Sequence, residues 1–288
     1  MTKTSVFTRR DFLRSTTAAA TMAAAGTPLL AAPATTSSVL VVRDQKAMLD
    51  NYAVDAGVLK KMVSETVMRM TGEKTPRSAW LSIVKPTDMI GLISTPHLNP
   101  THPEVVAAVR EQLREAGIPE GNIHDAQGNL ELVERCTALI SLPALKAHWL
   151  TGIGTVLKNY IMFSGRPSSY HDEANAKLGE IWNVPRVKGK TKLVLVDALR
   201  PLCDKGPQPD PRYMWPYKGL IAGTDPVAVE RICLKVITEK RHALRGETWL
   251  LSPPPLCVEA ADKQYHLGIS DLQRIKIETA GWTQDLRL

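Results

Sequence analysis

The chain contains no Cys-x-x-Cys unit: its four cysteines, Cys136, Cys203, Cys233 and Cys257, are widely separated. That spacing argues against an iron–sulfur cluster or a zinc ribbon, which need clustered thiolates. Cys136 and Cys233 sit in apolar segments and read as small buried hydrophobes. Cys203 and Cys257 lie in proline-rich contexts where an exported chain could pair them in a disulfide, a question that spacing leaves open. A basic stripe with interleaved aromatics is also absent. Aromatics make up 5% of the chain and the basic residues are scattered among nearly as many acids, so a nucleic-acid partner is discounted. Beyond residue 34 no apolar run is long enough to span a bilayer, so no membrane association is expected once that segment is removed. Neither a Walker loop nor Gly-x-Gly-x-x-Gly occurs, and there is no internal repeat.

What is present begins with Thr8-Arg9-Arg10-Asp11-Phe12-Leu13-Arg14, an uncharged stretch over 15–34, and the small-residue triplet Ala32-Pro33-Ala34. This looks like a twin-arginine export signal with its cleavage site, which predicts a periplasmic location for a protein carried across the membrane already folded. The expected organisation is therefore a signal over 1–34 and a single α/β domain over 35–288. Removing the signal takes away Lys3, Arg9, Arg10 and Arg14 against Asp11, and lowers the formal charge from +7 to +4. Roughly 250 remaining residues suit one large α/β domain.

Short apolar runs at 39–42, 89–93, 123–125, 138–142, 193–196, 220–222 and 275–277 alternate with longer helical patterns. That alternation predicts a mostly parallel sheet covered by helices on both faces. Val58, Leu59, Met62, Val63, Val67 and Met70 mark a helix over about 55–71. Thr101 and Glu104 read as a capping box for a helix ending at Gly117, and Asp225-Pro226 opens another. Proline and glycine cluster over 201–217 and again at 253–255, predicting loops, the first a Pro-rich insertion over one sheet edge. Its Tyr213, Trp215 and Tyr217 would either wall a pocket or pack the loop onto the domain.

Open α/β sheets bind ligands at the carboxyl ends of their strands. Thr95, His97, Asp125, Lys146, His148, Asp197, Thr224 and Asp225 all follow predicted strands, and parallel neighbours would gather them on one rim. The densest polar stretch runs from Lys146-Ala147-His148 through Thr151-Gly152-Ile153-Gly154 to Leu157-Lys158-Asn159. Its glycines would let backbone amides approach an anion, with Lys146 and Lys158 adding charge, so a carboxylate or phosphate ligand is the natural inference. His148 and His171 are candidates for acid/base work or metal binding, with Asp197 or Asp225 as partner, although lone histidines are more often structural. His102 reads as part of a helix start beside Pro103, and His124 as a strand residue. Asp225 also has a plainer reading as a helix cap.

At these same residues the chain resembles the family called domain of unknown function 362. The likeness runs from Pro86-Thr87-Asp88 to the helix after Asp225. It is carried by Thr101-His102-Pro103, Leu142-Pro143-Ala144-Leu145-Lys146-Ala147-His148, Leu150-Thr151-Gly152, Leu157-Lys158-Asn159, His171, Val196-Asp197-Ala198, Gly206-Pro207 and the run from Ala222 to Ala228. Two departures stand out: Ile93, Ser94 and Thr95 replace the lysine and asparagine common in relatives, and the segment between Asp125 and Leu139 is short. Many relatives resemble iron–sulfur proteins through an added ferredoxin-like module, but no such cysteine cluster occurs in this sequence, so cluster binding is not carried over. The combined expectation is an exported protein whose strand-end rim binds a small anionic ligand or a metal-bound cofactor, in a redox setting. In that reading the catalytic residues are His148 and His171, as acid/base groups or metal ligands, and Asp197, which with Asp225 orients them; Lys146, Gly152, Lys158, Asn159 and Asp225 bind the ligand, and the cofactor and any metal are not identified. The alternative is a non-catalytic accessory module serving an exported redox partner, with an exposed apolar patch around Trp215 and Tyr217.

Overall fold

The computed structural model describes residues 35–288, and the export-signal reading falls outside them. Each of the seven predicted strands is present: β1 (Ser37–Arg43), β2 (Ile90–Ser94), β3 (Ile123–Asp125), β4 (Ala138–Leu142), β7 (Thr191–Leu202), β8 (Gly219–Gly223) and β9 (Ile275–Gly281). Two more, β5 (Ala144–His148) and β6 (Gly152–Ile153), form a short hairpin. The main sheet runs β3-β2-β4-β7-β8-β1-β9, with β5 pairing onto the far end of β7. All its pairings are parallel except those of β8, which runs against both β7 and β1.

The helices are α1 (Ala56–Thr71), α2 (Pro76–Ile83), α3 (Pro103–Ala116), α4 (Leu130–Arg135), α5 (Leu178–Trp182), α6 (Pro226–Arg245) and α7 (Leu256–Lys263). They cover both faces, and the sheet divides the interior into two apolar cores. Because strand side chains alternate, Leu193, Leu195 and Leu199 of β7 enter the core under α1, α2 and α3. Val194, Val196 and Ala198 enter the core under α6 and α7. Each such aliphatic side chain stabilises the fold by roughly 1.5–3 kcal/mol on burial. A buried polar tie holds the first layer: Trp80 donates to Gln112 at 2.9 Å, and Gln112 donates to the Lys60 carbonyl at 2.8 Å.

Local signals set the helix limits. Asp55 accepts from the Val58 amide at the start of α1, and Gly72 ends it with φ of 72°. Asp225 accepts from Val227 and Ala228 at the start of α6, with Pro226 in the first turn. Gly117 closes α3 at φ 100° as expected, but the capping box does not form. Thr101 instead donates its hydroxyl to the Leu142 carbonyl at 2.6 Å and accepts from the Thr95 amide.

Three further expectations are corrected. The loop predicted from residue 201 starts later, since Pro201 and Leu202 still belong to β7. Trp215 and Tyr217 are buried, Tyr217 donating to the Leu286 carbonyl at 2.8 Å beneath the Arg43 guanidinium, so they pack the loop onto the domain and form no exposed patch. Cys203 and Cys257 are not bonded: all four cysteines are free and buried.

Candidate functional site

β5 continues from β4 across Pro143, and its Lys146 and His148 alternate with the core residue Leu145. The β6 strand folds back on it, pairing Gly152 with His148 and Ile153 with Ala147. The 155–159 turn follows and brings Lys158 to the same place. Thr155 accepts from the Lys146 amide at 3.1 Å, and Lys146, Lys158 and His171 all act electrostatically on His148.

Lys146 is 4% exposed and donates from Nζ to the carbonyls of Leu98 and Asn99 at 2.7 and 3.1 Å. Those two residues hold φ of 54° and 65°, a left-handed turn that aims both carbonyls at one ammonium. Lys158 is 8% exposed, yet its Nζ is fully buried and has no hydrogen-bond partner among the described residues. Neither lysine makes an ion pair among the described residues. Burial pushes Lys158 down to about 8. Burial and then the Lys158 charge bring Lys146 to about 8 as well.

His148 is held down to about 3 by burial and then by the positive charges of Lys158, Lys146 and His171. Its Nδ1 accepts from the Leu150 amide at 3.0 Å. At neutral pH the ring is therefore uncharged and its one proton lies on Nε2, making it a fixed donor. His171 is exposed and meets the Pro167 carbonyl through Nδ1 at 2.8 Å. Asn159 is engaged at both ends of its amide, donating to the Ile93 carbonyl and accepting from the Thr95 hydroxyl, which also accepts from the Ala144 amide. It ties β2 and β5 to the 158–164 segment.

The glycine-rich turn does not work as expected. The Gly154 amide donates to the Lys146 carbonyl, and just after the glycines the Val156 amide donates at 2.7 Å to an internal acid, the fully buried Glu230 of α6. Burial pushes this carboxyl up to about 7. The sequence reading missed it; the signal is a single acid in the apolar run from Val227 to Leu234. Gly152, at φ 72°, serves close packing, since a Cβ there would lie 2.7 Å from the Pro253 carbonyl.

Asp225 does not join the rim. Antiparallel β8 pairs Gly223 with Val194 near the start of β7, whereas Lys146 pairs with Leu202 at its end. Asp225 caps α6 and accepts from the Ile269 amide at 2.9 Å, which is the plainer reading. Asp197 is at the rim, but its partner is neither His148 nor His171. Its Oδ2 accepts from the His102 amide and meets His102 Nδ1, both at 2.7 Å, and Oδ1 accepts from the Leu199 amide. Burial of His102 opposes its charge, but the bond to Asp197 and the charges of Asp197 and Glu104 together outweigh it and raise its pKa.

As for a metal, no three His, Cys, Asp or Glu side chains among the described residues are grouped to hold one. His148 and His171 share their surroundings with two ammonium groups, a set that does not fit a cation. No curated protein and no solved structure matches this chain. Residues 118–235, which carry Lys146, His148, Lys158, Asp197 and Glu230, match the family model described as Domain of unknown function (DUF362).

Proposed function

We propose that the Lys146–Lys158 cluster binds a small oxyanion, the carboxylate or phosphate group of a metabolite. The observation that carries this is the Lys158 ammonium, buried with no protein acceptor beside a second buried lysine. An unpaired buried charge is costly, and an anionic ligand offsets that cost by supplying the missing acceptors. His148 Nε2–H adds a neutral donor. The test is calorimetric titration with sulfate, phosphate and acetate at pH 7, with Lys158→Met as control and circular dichroism to verify its fold. Saturable binding lost in the variant supports the reading; no heat from any of the three ends it.

We also read the chain as exported by the twin-arginine route, supported by Arg9-Arg10 and the 32–34 triplet. Fractionation of cells expressing the wild type and an Arg9→Lys/Arg10→Lys variant tests it. The accessory-module alternative keeps one supporting observation: Trp149 and Leu250 are 57% and 70% exposed. Each stands three residues before one side of the contact between Gly152 and Pro253. A partner that co-purifies with the wild type and is lost on Trp149→Ser would favour it.

A further inference from the structure

A second constellation lies at the start of α3, and neither lysine enters its hydrogen bonds. His102 is anchored at Nδ1 by Asp197, whose side chain is 1% exposed. The Asp197 oxygens also take two backbone amides, so the carboxylate is fixed from three sides. Nδ1–H facing Asp197 leaves Nε2 as the working nitrogen, with no hydrogen-bond partner among the described residues. The imidazole side chain is 26% exposed, so this edge is open to solvent.

Arg200 stands three residues along β7 from Asp197, and its charge acts on His102. Its guanidinium lies over the Tyr52 ring at 3.8 Å, which fixes its plane. Among the described residues it makes no ion pair or side-chain hydrogen bond, and its Nε is buried without an acceptor. Arginines held this way present a planar fork suited to an oxyanion. The neighbouring acids do not fill that role: Asp197 is spent on His102 and two amides, and Glu104 acts on His102.

We propose that His102 and Arg200 form a second oxyanion site, for the phosphoryl group of a phosphomonoester, with Asp197 as its positioning residue. Two donors from the guanidinium and a third from protonated Nε2 match a tetrahedral group, whose oxygens accept out of a single plane; a carboxylate accepts best in its own plane and carries half the charge of a phosphate dianion. The groups acting on His102 are Asp197 and Arg200 from β7 and Glu104 from α3. Asp197 and Glu104 favour the protonated ring, Arg200 opposes it, and a bound phosphoryl group neutralises Arg200.

The test is the titration of the His102 imidazole, followed by nuclear magnetic resonance in chloride, acetate and inorganic phosphate at equal ionic strength. Assignment comes from His102→Gln. Phosphate is expected to raise the His102 midpoint by about one pH unit, with acetate giving a smaller shift. Arg200→Gln is expected to weaken phosphate roughly tenfold or more, the usual size for loss of a charge-assisted bond. Lys158→Met leaves the His102 response intact, so failure of the lysine cluster and failure of this site are separable. The same midpoint in chloride and phosphate overturns the proposal, as does acetate matching phosphate or Arg200→Gln binding phosphate like the wild type.

Discussion

Glu230 and Val156, far apart in the chain, are joined by a 2.7 Å hydrogen bond from the Val156 amide to a carboxylate with no exposed surface. This bond fixes the turn that places Lys158. It also occupies with a protein group the amides that would otherwise attract a ligand.

Glu230 gives the stability of the protein a pH signature. Its folded value of about 7 lies above the ordinary 4.5, so the native state holds the proton more tightly. Stability is therefore greatest below pH 4.5 as far as this group is concerned, and roughly 3 kcal/mol of it is lost as pH rises through 7. Urea midpoints of wild type and Glu230→Gln are expected to diverge between pH 5 and pH 8, the variant showing the smaller decline. Parallel curves would remove Glu230 as the cause.

Sulfate affinity should depend on Lys158 and Lys146, both lowered to about 8. A bound anion raises those values, so binding takes up protons above pH 8 and weakens as pH climbs. The expected loss is up to about tenfold per pH unit for each lysine concerned. Calorimetry at pH 7 and 9.5 measures it; equal affinities at the two values contradict a lysine-held anion.

Gly152→Ala should lower stability. The added methyl meets the Pro253 carbonyl at 2.7 Å in a backbone conformation that disfavours side chains. A cost of about 1–3 kcal/mol is expected, read as a lower thermal midpoint. Gly189→Ala is the comparison: it has similar φ and nothing within 4 Å, so it reports the backbone cost alone.

Asp225→Ala should separate capping from binding. Losing the acceptor for Val227, Ala228 and Ile269 is expected to cost about 1–2 kcal/mol. Sulfate affinity at pH 7 should stay at the wild-type value. Weakened sulfate binding in a folded variant would return Asp225 to the site.

The strands were legible because a buried parallel strand needs a continuous apolar run, as 138–142 and 193–196 supply. β5 was hidden by Lys146 and His148, whose polarity masks a period-two pattern set by Leu145 and Ala147. The lysine cluster was legible because its members lie on one continuous stretch of sequence. The pairing of Asp197 with His102 was not, since it joins distant segments and competes with the helix-start reading of His102. Asp225 was misplaced for one reason: an apolar run looks the same in either strand direction, and β8 runs against its neighbours.

The β1–β9 pair matches Ser37 with Ile275 and Arg43 with Gly281, the first described strand against the last. Residues out to Gly281 must therefore have left the ribosome before β1 can acquire its parallel neighbour, and closing so long a loop is slow. Until then the outer edge of β1 stays available to other unpaired strands, so this sheet edge is assembled late and is a step at which a chaperone has much to protect.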